Sequence, residues 1–130
     1  MGALVKAFIL CDDAQKQSGA RKYDLKGAGV SFIESTVPVQ FPSQVFKHTL
    51  WVYLQIFDDK PQGRVRLALM RADSERRYFF REMAIQHADQ LRPTSVLVRL
   101  FNCEFPARGA YFIELWYDDE WLIDQRLDIV

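Results

Sequence analysis

The sequence predicts an all-β protein, an antiparallel sandwich of about eight strands that forms one domain over residues 1–130. Three observations support this fold class. Apolar and polar residues alternate along several segments, as they do in strands that bury one face. Turn-forming residues recur about every eight to twelve positions, which is typical of sandwiches and barrels. Finally, a single short segment has its apolar residues at a helical spacing.

The amino-terminal part of the chain contains short strand candidates joined by polar loops. Residues 4–10 form an apolar run that is too short for a typical helix, so it predicts the first strand. Residues 12–29 are polar and contain glycines, and we expect a long connection with at most a short strand inside it. A short strand follows at 30–33. The prolines in 37–42 place that segment at a sheet edge or a crossing between sheets, because proline cannot donate to a ladder.

The central strand is predicted at 46–57, where the residues of both faces are apolar. Residues 58–63 contain acidic residues, a proline and a glycine, and we expect them to form a turn that returns the chain as a hairpin. The alternating segment 64–70 is the second strand of that hairpin. Another turn precedes a strand at 77–83.

The carboxy-terminal part combines one possible helix with the clearest strand pattern. Apolar residues recur every third position in 85–91 and a proline follows, so we expect at most one short helix there. A strand is predicted at 96–101. Residues 111–116 and 121–129 alternate on either side of an acidic turn and predict a terminal hairpin. The residues expected on the core side of its second strand are Trp121, Ile123, Leu127 and Ile129.

Composition and charge exclude several classes of protein. Hydrophobic residues make up 49% and charged residues 26% of the chain, which argues against disorder. The 17 basic and 17 acidic residues cancel, so neither nucleic acid nor an anionic membrane surface is an expected partner. The first eleven residues do not form an export signal, since Lys6 interrupts their short apolar run. We therefore expect a cytoplasmic protein in which Cys11 and Cys103 are reduced thiols.

Aromatic side chains on the strands are candidates for an interaction face. Trp51, Tyr53 and Phe57 lie on the side of the central strand opposite to its aliphatic side, and Phe112 and Trp116 have the same position in the terminal hairpin. If the aliphatic side forms the core, the aromatic side needs cover from the chain's own long loop or from a second subunit. We therefore expect a protein-interaction module without catalytic activity. If a second subunit covers the aromatic side, the protein is a homodimer; the alternative is cover by the chain's own loop.

Six arginines between positions 64 and 81 make the middle of the chain locally basic. On adjacent strands they would form a ribbon that could meet an acidic partner or a phosphate. More commonly, such residues form the solvated face of an antiparallel sheet while their stems cover apolar surface.

Acidic residues at three predicted turns point to an alternative function. They are Asp12, Asp13, Asp58, Asp59, Asp118 and Asp119. If these turns meet at one end of the sandwich, their carboxylates could bind calcium or a small ligand. Aspartate is also frequent in turns because its side chain bonds the local backbone, and that simpler interpretation stays open.

No motif in the sequence predicts catalysis or a cofactor. His48 and His87 have no metal-ligand spacing with a cysteine or with each other. The serines lie outside the Gly-x-Ser-x-Gly setting of a nucleophile, and the glycines near position 28 lack the lysine and hydroxyl residue of a phosphate loop. An enzyme with a site built from one histidine and a nearby acid is the weakest of the three functional alternatives.

Three sequence elements resemble those of DUF6941, a bacterial family of uncharacterised small proteins. They are AFILCD at 7–12, Phe41-Pro42, and Phe105-Pro106-x-x-Gly109-x-Tyr111 with the acidic turn after it. The resemblance extends over nearly the whole chain and implies no activity and no catalytic residues. The Gly-x-Tyr element is also similar to one in immunoglobulin-like sandwiches, where a tyrosine hydroxyl bonds nearby backbone. We therefore expect a Greek-key, immunoglobulin-like topology.

Overall fold

The structure, a computed structural model, describes residues 3–16, 23–27, 29, 32–33, 45–74, 76–89 and 91–130. Strands dominate these ranges, and none of their residues forms a helix. The strands are β1 Leu4–Cys11, β2 Asp13–Lys16, β3 Tyr23–Lys26, β4 Phe32–Ile33, β5 Phe46–Phe57, β6 Gln62–Arg71, β7 Arg77–Gln86, β8 Thr94–Phe105, β9 Gly109–Tyr117 and β10 Glu120–Ile129. In the described part of the chain, no helix is long and apolar enough to cross a membrane.

Two larger sheets share one hydrophobic core. The order of strands is β1-β5-β8 in the three-stranded sheet and β4-β10-β9-β6-β7 in the five-stranded sheet, while β2 and β3 form a separate hairpin. Neighbouring strands are antiparallel apart from the two-residue parallel pairing of β4 with β10. Buried side chains from both larger sheets belong to the same apolar cluster. The prediction of an all-β protein with antiparallel sheets is confirmed.

The alternating patterns of β5 and β9 place their aliphatic sides in this core. Leu50, Val52, Leu54 and Ile56 are completely buried, whereas the residues between them are partly exposed. In β9 the buried set starts with Tyr111 and continues at every second residue. Because successive strand residues point to opposite sides, the outer faces of the two sheets point away from each other.

Two bulges change which residues face the core. Asn102 has a positive φ of 50°, and its backbone N–H donates to Thr49 Oγ1 at 3.1 Å. The extra residue puts both Leu100 and Cys103 on the core side of β8. In β10 a register shift follows Trp121. Trp121 therefore lies opposite Trp116 on the outer face with 49% of its surface exposed, and the prediction that it faces the core is wrong.

The segment 58–63 connects the two sheets and does not form the predicted hairpin. β5 pairs with β1 and β8, whereas β6 pairs with β7 and β9. The aliphatic sides of β5 and β6 can then face each other across the core. The real hairpin partner of β6 is β7.

The short helix expected at 85–91 is absent from the described residues of that segment. Ile85 and Gln86 extend β7, where they pair with Gly63 and Gln62. Of the apolar residues at the helical spacing, only Ile85 is buried, while Leu91 is 87% exposed. A three-residue spacing without a common buried side does not form a helix face.

Among the described residues of 12–29, β2 and β3 are short strands that pair with each other. The predicted strand at 30–33 is represented by β4, which pairs with the end of β10. The proline-containing segment 37–42 lies outside the described residues.

Candidate functional site

The five aromatic residues predicted as one interaction face lie on two different surfaces. Trp51, Tyr53 and Phe57 occupy the outer face of the three-stranded sheet, on β5. Phe112 and Trp116 occupy the outer face of the five-stranded sheet, on β9. The hydrophobic core separates these surfaces. The five residues therefore belong to two separate surfaces and cannot form one binding site.

The outer face of the three-stranded sheet is held by contacts within the chain. Gln55 Nε2 donates to Tyr53 Oη at 2.8 Å and to Ser95 Oγ at 3.1 Å. The Arg99 guanidinium carbon lies 5.9 Å from the centroid of the Trp51 ring and 4.6 Å from that of Phe101. These contacts use the polar groups of this face internally.

The outer face of the five-stranded sheet presents three rows of side chains across β10, β9, β6 and β7. We call this surface the five-strand face. Its rows are Trp121, Trp116, Arg66 and Glu82; Asp124, Glu114, Ala68 and Phe80; and Arg126, Phe112, Met70 and Arg77.

At the centre of the five-strand face, Arg66 stacks on Trp116. The guanidinium carbon lies 4.9 Å from the centroid of the indole ring. Arg66 Nε and Trp116 Nε1 are both buried, and neither has a hydrogen-bond partner in the described part of the chain. A buried polar group without a partner costs roughly 1–3 kcal/mol. The two unpaired nitrogens of the stack therefore lower the stability of the isolated chain.

A bidentate ion pair lies beside this stack. Arg77 Nε is 2.8 Å from Glu114 Oε1, and Arg77 Nη2 is 3.3 Å from Glu114 Oε2. Glu114 is only 5% exposed, and Ala68, its neighbour on β6, is 1% exposed. The pair bridges β7 and β9 above a small side chain, and its two parallel bonds fix the geometry.

Large apolar side chains flank these central contacts. Phe80 on β7 is 56% exposed and Trp121 on β10 is 49% exposed. Tryptophan and arginine at a partly buried centre are typical of residues that contribute most to protein binding. The sequence contained one signal for this site, since Glu114 is the only charged residue in the run 110–117.

A second polar cluster fills one end of the core. Tyr117 Oη donates to Asp58 Oδ2, and the ring nitrogens of His87 lie 3.0 Å from Tyr117 Oη and 2.8 Å from Thr94 Oγ1. Because the Tyr117 hydroxyl hydrogen points to Asp58, Tyr117 Oη accepts a hydrogen bond from His87 Nε2, and in that tautomer His87 Nδ1 accepts one from Thr94 Oγ1. Both nitrogens are thus occupied by structural hydrogen bonds.

Gly63 makes room for this cluster. A Cβ atom at position 63 would lie 1.8 Å from Tyr117 Oη. Burial of Asp58 would by itself raise the pKa of its carboxyl, but hydrogen bonds from Tyr117 and the Lys60 amide outweigh burial, and the pKa is lower than usual. Burial, followed by the bond to Asp58, raises the pKa of Tyr117 well above its usual range.

The acidic turns do not meet at one end of the molecule. Asp58 follows the end of β5, and Asp118 lies nearby, with its Oδ2 3.1 Å from Lys60 Nζ. Asp12 follows Cys11, which pairs with Trp51, so it lies roughly 20 Å from Asp58 along β5. The described residues contain no group of three or more His, Cys, Asp or Glu placed to hold a metal ion. The predicted calcium site therefore lacks its geometric basis.

The thiols of Cys11 and Cys103 are free and buried. Burial raises the pKa of Cys103 to about 12. Burial and the charge of Asp12 also raise the pKa of Cys11. A thiol that stays protonated is a poor nucleophile, so neither cysteine is a candidate reactive group.

The model of a family of unknown function, DUF6941, matches residues 6–130. No curated protein matches the chain.

Proposed function

We propose that this chain, which belongs to the DUF6941 family of unknown function, is a non-catalytic module that binds a protein partner through the five-strand face. The observation that carries the proposal is the position of two half-exposed aromatic residues, Phe80 and Trp121, on either side of the Arg66–Trp116 stack. The free, buried thiols suit a reducing compartment, and a cytoplasmic location is part of the proposal.

The chemistry of the five-strand face favours a protein over other ligands. Its charged residues have both signs, whereas a surface for nucleic acid concentrates positive charge. Its centre is already ordered, because Arg77 and Glu114 form two hydrogen bonds and Arg66 lies on Trp116. Side chains that are ordered before binding lose less entropy when a partner arrives.

We also propose that the two sheets form an immunoglobulin-like Greek-key sandwich. Strands β1, β5 and β8 then correspond to strands A, B and E of that fold, and β7, β6, β9 and β10 correspond to C′, C, F and G. The Tyr111 hydroxyl supports this assignment. It donates to Ala107 O at 2.8 Å and accepts from Ala107 N at 3.3 Å, which is the backbone contact of a tyrosine corner on strand F.

Site-specific photo-crosslinking in the native cell tests the proposed function. A benzophenone amino acid replaces Trp121 or Phe80 on the five-strand face. The matched control replaces Phe101, which is 55% exposed on the three-stranded sheet. We expect a specific protein adduct from the first two positions and not from the control. Absence of adducts at Trp121 and Phe80, or equal labelling from Phe101, would refute the proposed function.

A further inference from the structure

We infer that the partner of the five-strand face is a second copy of this chain, bound face to face about a two-fold axis. This inference rests on the proposed function and adds the identity of the partner. It depends on which charges of the face have partners inside the chain and on where the remaining two charges lie.

Four of the six charged residues in the rows of the face form ion pairs within the chain. Glu114 pairs with Arg77, Glu82 lies 3.1 Å from Arg64, and Arg126 lies 3.0 Å from Asp128.

The two remaining charges are opposite in sign. Arg66 contacts the Trp116 ring and has no carboxylate partner among the described residues. Asp124 is exposed, and no described residue forms an ion pair or hydrogen bond with it. The face therefore has one unmatched cation and one unmatched anion.

These two residues cannot pair with each other in one chain. Arg66 is on β6 and Asp124 is on β10, with β9 between them. Two strand spacings separate their backbones by about 10 Å. They also lie in neighbouring rows, because Arg66 is opposite Trp116 and Asp124 is opposite Glu114. The side chains on β9 occupy the space between them.

A two-fold axis brings Arg66 of one copy close to Asp124 of the other, although the two residues are far apart within one chain. In a two-fold interface each contact between two different residues occurs twice. Consider an axis that lies in the plane between the two faces and crosses β9 obliquely between Trp116 and Glu114. It places Arg66 of each copy against the partner's Asp124. With the usual distances between strands and along a strand, the same axis brings Trp121 to the partner's Trp116 and Phe80 to the partner's Phe112. One symmetry operation thus covers the exposed aromatics and matches both charges.

A partner without complementary charges would leave Arg66 and Asp124 unpaired in a buried surface. Burial of a charge without a partner is strongly unfavourable. The second copy avoids this cost because it supplies one acid and one base at symmetric positions. This complementarity favours self-association over a purely apolar partner.

Charge reversal tests the inference on the purified full chain. Sedimentation equilibrium over a wide concentration range measures the mass, with 15.2 kDa as the monomer value. We expect a dimer for the wild type. Arg66→Glu and Asp124→Arg should each weaken dimerisation roughly ten-fold or more, because each introduces two like-charge contacts. The double variant R66E/D124R should regain most of the affinity.

The control variant Lys47→Glu reverses a charge that lies 3.9 Å from Glu104, on the three-stranded sheet. It should leave the dimer intact, and circular dichroism verifies that every variant is folded. A monomeric wild type would overturn the inference, as would a folded double variant that does not recover. If the wild type is monomeric but position 121 crosslinks to a different protein, the proposed function survives and the second copy is excluded.

Discussion

Asp58 is a buried carboxylate whose hydrogen bonds contribute to stability. It is 1% exposed, and it accepts hydrogen bonds from Tyr117 Oη and from Lys60 N at 3.2 Å. These bonds hold its pKa below the usual value of 3.8 despite burial. The folded state therefore prefers the ionised form. The resulting stability is fully present above pH 3.8 and is lost as the pH falls through the lower folded value.

Asp58→Asn should therefore change both the stability and its pH dependence. We expect a decrease of about 1–3 kcal/mol in the free energy of unfolding at pH 7, since a charge-assisted hydrogen bond becomes a neutral one. The difference from wild type should shrink as the pH falls from 4 to 2. Urea denaturation at several pH values measures this difference. Asp119→Asn, at an exposed acid in a turn, should keep the wild-type slope, and a constant difference for Asp58→Asn would contradict the prediction.

Sequence periodicity identified the side of the strand on which single residues lie, but it did not identify their partners. The alternation in 111–116 puts Glu114 on the same side as Phe112 and Trp116, and that is where it lies. Its burial depends on Arg77, which is 37 positions away and reaches it across β6. The order β9-β6-β7 is a property of the whole sheet, so no local pattern could predict this ion pair.

The turn between β9 and β10 has a backbone conformation that aspartate tolerates but glycine prefers. Asp118 and Asp119 have φ values of 47° and 65°, and the flanking Tyr117 and Glu120 pair directly. A two-residue hairpin loop with two positive φ angles is a type I′ turn, in which Asp-Gly is strongly favoured. Asp118 also accepts a hydrogen bond from Arg64 N at 2.9 Å, so it ties the turn to β6.

Asp119→Gly should stabilise the protein because it removes the cost of a left-handed conformation in a residue with a side chain. We expect a gain of about 0.5–1 kcal/mol. Asp119→Ala keeps this cost and loses the local polar contacts of aspartate, so it should be destabilising. Thermal denaturation of both variants measures the effect. A lower melting temperature for Asp119→Gly than for wild type would show that the turn requires the aspartate side chain.

Bulges explain why strand patterns were only partly predictive at the level of whole elements. Because side chains alternate along a strand, the side on which one residue lies determines the side of every other residue in that strand. The bulge at Asn102 restarts this alternation within β8, and the shift after Trp121 does the same within β10. The regular strands β5 and β9 were predicted with the correct sides. The bulges in β8 and β10 were not predicted, because an unpaired extra residue leaves no signature in the hydrophobicity pattern alone.

The order of the strands across the whole molecule decided which predicted surfaces exist. The sequence predicted that β5 and β6 form a hairpin, which would place their aromatic and arginine residues on one sheet. Instead, the segment 58–63 carries the chain across the core to the other sheet. This crossing separates Trp51 from Trp116 and brings Arg66 next to Trp116. Both arrangements have the same local turn residues, and only the packing of the two aliphatic faces distinguishes them.

The same long-range arrangement determines whether the acidic turns can bind a metal ion. Asp12 and Asp13 lie at the opposite end of β5 from Asp58. The Asp58 carboxylate accepts hydrogen bonds from Tyr117 and Lys60, and Asp118 is engaged by Lys60 and Arg64. A calcium ion would have to displace these partners and would find carboxylates from fewer turns than the sequence suggested.

Calcium should therefore leave the thermal stability unchanged. A ligand that prefers the folded state raises the free energy of unfolding, by about 2.7 kcal/mol at a concentration of 100 times its dissociation constant. For a domain of this size, such a gain raises the melting temperature by about 5 °C or more. Differential scanning fluorimetry of metal-free protein, with and without millimolar calcium chloride, makes the comparison, and magnesium chloride controls for ionic strength. A rise that only calcium produces, and that Asp58→Asn or Asp118→Asn abolishes, would restore the acidic turns as a binding site.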